Sequence, residues 1–220
     1  MPPVPSHAGG GRAFGILGGT FDPIHAGHLA LASAARANLD LDHVIFVPNA
    51  HPPHKRDQDV TSAGHREAMV RLAIDGDPGF VISRIELERP GPSYAVDTAT
   101  ALAAISQAEG RPEPWFILSA EVLDDLQTWR QPLRIVDACR IAVAPRRGAG
   151  AVDQAWLAEH FPGRVGRFAF LPGPMLDIAS TTIRERVAAG QAISGLVPAA
   201  VERYIMETGL YRTGGSRSGG

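Results

Sequence analysis

The chain has 220 residues, 45% of them hydrophobic and 20% charged, with a formal net charge of −2. That is enough for one domain or a tight pair with a proper buried core, and it excludes a disordered sequence. Near-neutral charge excludes bulk attraction to nucleic acid or to an anionic membrane, so any anion site must be local; the single cysteine, Cys139, excludes an internal disulfide framework and CxxC-type zinc chemistry.

In chain order, "MPPVPSHAGGGR" (1–12) is Pro/Gly-rich and has no apolar segment of the kind a secretory signal needs, so it is expected to be a mobile tail. Short apolar runs then alternate with longer helical patterns. Residues 13–19, 43–48, 80–87, 115–120, 140–145 and 167–173 read as strands, rich in Val, Ile and Phe and bounded by Gly, Pro or charge. Helices are expected at 27–39, 62–75, 93–108, 121–138, 152–160, 180–189 and 198–208, with Pro198 in a first turn and Gly209 as a stop. Residues 213–220, "TGGSRSGG", read as a second flexible tail. No run approaches the roughly 18 apolar residues of a membrane span, so a soluble, cytoplasmic protein is expected.

Near-continuous hydrophobicity in the strands implies cover on both faces. The expected class is therefore α/β, a Rossmann-like, doubly wound, mostly parallel sheet with helices on both faces. Such sheets bind ligands beyond the carboxyl ends of their strands, and "GGTFDPIHAGH" (18–28) lies just past the first one. Its glycines, Gly18 and Gly19, spell neither GxGxxG nor a Walker-type loop. Alone they suit a tight bend as well as a close approach of backbone to phosphate, with Thr20 adding a hydroxyl.

His25 falls in the loop before the helix and His28 in its first turn, where free amide N–H groups and the positive dipole end favour an anion. A zinc site would need a third ligand, and His51 and His54 are the available partners. "STTIR" (180–184) is a second candidate anion site, with Ser180 or Thr181 expected to cap the helix and Arg184 in its first turn. Asp22 reads as the residue that fixes the turn before Pro23 rather than as a base.

"GGTFDPIHAGH" resembles the signature of the (H/T)xGH nucleotidyltransferase superfamily, and within it the bacterial nicotinate-nucleotide adenylyltransferases. The likeness continues in order through "PNAHPPHK" (48–55), "HREAMVRLAI" (65–74), "PSYAVDT" (92–98), "TW" (128–129), "APRRG" (144–148), "IASTTIRERV" (178–187) and "LVPAAVERYIMETGLYR" (196–212). The resemblance implies a single nucleotidyltransferase domain over 13–212. It implies adenylyl transfer from ATP to nicotinate mononucleotide, giving deamido-NAD and pyrophosphate, with Mg2+ carried by ATP. His25, His28, Lys55 and Arg184 would be catalytic; Gly18, Gly19, Thr20, Phe21, Ser119, Glu121, Ser180 and Thr181 would join them at ATP. Tyr94, Thr98, Thr128, Trp129 and Arg146 would line the mononucleotide site.

The family usually has Gly-x-Asp where Ser119 and Glu121 stand here, and Thr where Ala95 stands. Competing expectations are nicotinamide mononucleotide or another phosphate ester as acceptor, a phosphopantetheine adenylyltransferase, a class I aminoacyl-tRNA synthetase core, a non-catalytic nucleotide-binding paralogue, and a metal-dependent hydrolase built on the four histidines. The expected partners are ATP and a pyridine mononucleotide, with no nucleic acid and no membrane; a homo-oligomer is compatible with the sequence.

Overall fold

A computed structural model of the chain describes residues 11–50, 60–144, 154–172 and 178–212. Every residue of the second strand, "VIFVP", is buried. Successive strand residues point to opposite faces, so consecutive burial requires cover on both sides. The sheet supplies that arrangement. Six parallel strands, β1 (Gly15–Gly19), β2 (Val44–Pro48), β3 (Phe80–Ile82), β4 (Trp115–Ser119), β5 (Arg140–Ala144) and β6 (Phe168–Phe170), lie in the order β3-β2-β1-β4-β5-β6.

Eight helices cover it among the described residues: α1 (Ala26–Asn38), α2 (Ala63–Ile74), α3 (Ala95–Ala108), α4 (Ala120–Leu126), α5 (Pro132–Ala138), α6 (Gln154–His160), α7 (Ser180–Ala188) and α8 (Ala199–Thr208). On one face Leu17, Phe46 and Ile117 pack with Ala32, Met69, Ile183 and Val201 from α1, α2, α7 and α8. On the other, the neighbouring strand residues Ile16, Ile45 and Phe116 pack with Leu102, Leu123, Ile135 and Leu157 from α3 to α6. Among the described residues no helix is long and apolar enough to cross a membrane.

The two middle strands position the site. β1 pairs with β2 over all five residues, Gly15↔Val44 to Gly19↔Pro48. Its pairing with β4 comprises only Gly15↔Trp115 and Ile16↔Phe116. Beyond Ile16 and Phe116 the strands part, opening a crevice at the carboxyl edge where the strand order reverses.

Two expected elements differ. The helix expected over 121–138 is two helices: α4 ends at Leu126, and a new helix, α5, starts at Pro132 after Gln131, which takes a left-handed backbone (φ 51) incompatible with a continuous helix. The strand expected over 80–87 ends at Ile82. Ser83 donates its amide to Phe46 O, its Oγ then accepts the Ile85 amide, and Glu88 N–H to Arg84 O closes a turn. The segments expected as tails lie outside the described residues apart from Gly11 and Arg12, and Arg12 pairs with Asp40 at 2.9 Å.

Candidate active site

The chain leaves β1 through a turn that Phe21 dominates. Phe21 adopts φ 50 and is buried, and its ring fills the space over Gly19, where a Cβ would lie 2.9 Å from the ring. Any larger residue at 19 would displace that ring. Phe21 in turn meets the His28 ring edge-on, with centroids 5.0 Å apart.

His25 is the N-cap of α1, with extended backbone, and His28 is the third residue of the helix. Their rings stack at 3.7 Å and 26°. The His25 ring also overlies Gly27, where a Cβ would come within 3.0 Å of Nδ1. The His25 amide donates to His28 Nδ1 at 3.2 Å, which leaves the proton of the neutral His28 ring on Nε2. Burial pushes the His25 imidazole down to about 4; burial first, then the neighbouring His25, hold His28 well below the ordinary histidine value. At neutral pH the pair is two uncharged N–H donors. One α1 amide is already engaged, since Ala26 N–H donates to Leu196 O at 2.8 Å.

The start of α7 is fastened to the same turn. Ser180 Oγ donates to Pro23 O at 3.0 Å, and Arg184 Nη1 donates to Asp22 O at 2.8 Å while Nη2 donates to Thr181 Oγ1 at 3.2 Å. The two candidate anion segments are therefore neighbours. One expectation is corrected here: the N-cap of α7 is Ala179, not Ser180 or Thr181. Ser180 is the first helical residue because its hydroxyl is drawn to Pro23 rather than back to its own helix.

Asp22 is buried, as a turn-fixing residue should be. Its Oδ1 accepts the Tyr211 hydroxyl at 2.6 Å and its Oδ2 accepts the Thr61 amide at 3.1 Å. Below it runs Arg66, 1% exposed, which donates to Thr61 O, Thr20 O and Ala50 O at 2.9, 2.8 and 3.3 Å.

Across the crevice, Ser119 ends β4 and caps α4, accepting the Val122 amide at 3.4 Å, and Glu121 is exposed in that helix's first turn. Tyr94 is the N-cap of α3, and the Arg130 guanidinium lies 4.5 Å over its ring. Trp129, next to Arg130, is half-buried and meets Phe116 edge-on at 6.3 Å. Thr128 is exposed, with its hydroxyl donated to Asp125 O. Thr98 is 2% exposed and points inward: it donates to Glu86 Oε1 at 2.7 Å and accepts from Arg89 at 3.3 Å. Lys55, Arg146, His51 and His54 lie outside the described residues. Among the described residues no three His, Cys, Asp or Glu come together as a metal site.

The cytidylyltransferase-like family model matches residues 16–186. The chain is 46% identical over 198 residues to the probable nicotinate-nucleotide adenylyltransferase of Roseiflexus sp. (strain RS-1), covering 90% of this chain and 97% of that one. It is 44% identical to the protein of the same name from Symbiobacterium thermophilum, covering 93% and 98%. The chain belongs to the nicotinate-nucleotide adenylyltransferases of the cytidylyltransferase-like family. A Plasmodium falciparum nicotinic acid mononucleotide adenylyltransferase complexed with APC shares the fold, with a TM-score of 0.71 over 91% of this chain and 97% of that one at 19% identity.

For a member of this adenylyltransferase family, the sequence reading missed the supports of the turn. Arg66 and Tyr211 both lie inside blocks that carried the resemblance, yet nothing local distinguishes a buried arginine from a surface one. Arg130 was equally silent, a lone cation after a tryptophan.

Proposed function

We propose that this chain transfers the adenylyl group of ATP to nicotinate mononucleotide, forming deamido-NAD and releasing pyrophosphate. The acceptor's 5′-phosphate oxygen attacks the α-phosphorus of ATP, and the bond from that phosphorus to the β-phosphate bridging oxygen breaks. Such a displacement needs positioning and charge stabilisation rather than a covalent nucleophile. One observation carries the reading: α7 is hydrogen-bonded to the turn that leads into the stacked His25–His28 pair. A single polyphosphate can thus be reached by imidazole N–H groups from one side and by Arg184, Ser180 and Thr181 from the other.

In this reading His28 Nε2–H and His25 donate to phosphate oxygens as negative charge moves toward the leaving pyrophosphate. Being neutral, they stabilise that charge as hydrogen-bond donors, and Arg184 supplies the positive charge. Lys55 is proposed as a further phosphate cation and Arg146 as an acceptor contact. Gly18, Gly19, Thr20 and Phe21 form the wall along which ATP lies, and Ser119 with Glu121 faces the adenosine. Mg2+ brought in with ATP would be held through phosphate oxygens and water, with no carboxylate cage required of the protein, and would offset triphosphate charge.

Tyr94, Thr128 and Trp129 are the proposed acceptor contacts. Thr98 serves the same pocket from beneath, holding Glu86 and Arg89 under the first turn of α3. The test is pyrophosphate release from ATP with nicotinate mononucleotide, nicotinamide mononucleotide or pantetheine phosphate as acceptor. Turnover should be fastest with the nicotinate compound. Preference for either other acceptor, or no turnover with any, rejects the proposal.

A further inference from the structure

The closing block of the sequence, "GLYR" (209–212), has no part in the scheme above, yet it reaches the centre of the site. Tyr211 adopts φ 66, a left-handed backbone that bulky residues rarely take. That conformation turns the chain back after α8 and sets the phenol 2.6 Å from Asp22 Oδ1, 189 positions away in sequence. The hydroxyl also lies 4.0 Å from Met69 Sδ of α2.

Asp22 is where several restraints meet. Its side chain is held by Tyr211 on one oxygen and by the Thr61 amide on the other. Its main-chain carbonyl receives Arg184, and the next carbonyl, of Pro23, receives Ser180. Two residues further on stands His25. The carboxylate is 4% exposed, so removing a donor from it leaves a buried oxygen lone pair without a partner, and the turn must move to find one.

We propose that Tyr211 is a positioning residue for the ATP side of the reaction, holding the Asp22 turn so that Arg184, Ser180 and the His25–His28 pair share one geometry. Burial, followed by the Asp22 carboxylate, pushes the Tyr211 phenol above its ordinary value, so the hydroxyl stays protonated and donates. The proposal rests on the ATP site as read above.

A second tyrosine provides the control. Tyr204 of α8 donates to or accepts from His65 of α2 at 2.8 Å, a hydroxyl contact to the helix that also carries Met69, and it touches no proposed site residue. Tyr211→Phe and Tyr204→Phe are compared by thermal unfolding, by kcat and KM for each substrate, and by affinity for a non-hydrolysable ATP analogue without acceptor.

Tyr211→Phe is expected to lower kcat/KM for ATP and weaken the analogue by about tenfold, leave the acceptor KM within about twofold, and shift Tm by no more than about 3 °C. Tyr204→Phe is expected to leave both substrates unaffected. Equal losses toward both substrates, the same loss in Tyr204→Phe, or no loss in Tyr211→Phe overturns the proposal. If Tyr211→Phe does not fold, Asp22→Asn reads the same link from the other end and must show the same bias toward ATP; an unbiased loss overturns it. If the wild type releases no pyrophosphate, the functional reading fails, while analogue affinity still decides on Tyr211: about tenfold weaker supports it, unchanged overturns it.

Discussion

The Arg184 guanidinium donates to the main-chain carbonyl of Asp22 at 2.8 Å, across 162 positions of sequence. Together with the Ser180–Pro23 bond, it fastens the start of α7 to the turn before His25, so the two candidate phosphate segments are neighbours. Because the fork is also held by Thr181 Oγ1, its plane is set before any ligand arrives, and little rotamer freedom is left to lose on binding.

Arg184→Ala is expected to raise the KM for ATP by about tenfold or more, the scale of a lost charge-assisted contact, and to leave the mononucleotide KM within about twofold. Arg184→Lys should recover little of this, since one ammonium cannot keep Asp22 O and Thr181 Oγ1 and still face a phosphate. Separate KM measurements check the split, and a larger effect on the mononucleotide would remove Arg184 from the triphosphate.

His28→Ala should lower kcat by at least about 10²-fold, the cost of removing a donor aimed at charge that develops in the transition state. Nδ1 is held by the His25 amide, so the Nε2–H donor is fixed in place before reaction. Steady-state turnover of the purified, folded variant is the check, and near-normal kcat would defeat the role.

The sheet is legible because its strands are apolar at consecutive positions, and the candidate site is suggested by a glycine–histidine motif at the end of the first strand. What could not be read was contact at a distance. Nothing local to Ser180 says that its hydroxyl goes to Pro23 and leaves the cap to Ala179. Arg66 sits in a helix where an arginine ordinarily faces water, and only the three carbonyls arriving from other loops explain its burial. Nothing local to Thr98 says that its hydroxyl is donated to the carboxylate of Glu86, twelve positions before it. The break before α5 does have a local signal, in Pro132.

The lowered histidines give a pH signature. His25 takes up a proton near 6.5 when unfolded and only at about 4 when folded, so between these values the unfolded chain binds more protons. Stability should therefore be full above about pH 6.5 and fall as pH drops toward 4, by on the order of 3 kcal/mol for His25 alone. Asp42, held below the ordinary carboxylate range by hydrogen bonds from Arg111 and His43 that outweigh its partial burial, loses its contribution only at lower pH, below the imidazole window. Urea titrations between pH 4 and 7 check this, and His25→Gln should flatten the slope. Stability that rises as pH falls through that range would show that the pair is not buried neutral.

Arg66 offers the sharpest stability test. Its guanidinium is the shared donor for the carbonyls of Thr20, Ala50 and Thr61, which lie on the segments following β1 and β2 and on the approach to α2. Burial lowers its proton affinity, but no realistic pH discharges it, so the fold keeps a buried cation beside the buried Asp22. Arg66→Met fills similar space and strands those carbonyls along with the Asp22 charge. A loss of about 3–5 kcal/mol is expected, seen as a lower urea midpoint at unchanged slope. Arg66→Lys should recover only part, because a single ammonium cannot span three acceptors set around a planar fork. A loss below about 1 kcal/mol in Arg66→Met would mean that the three segments hold their places without it.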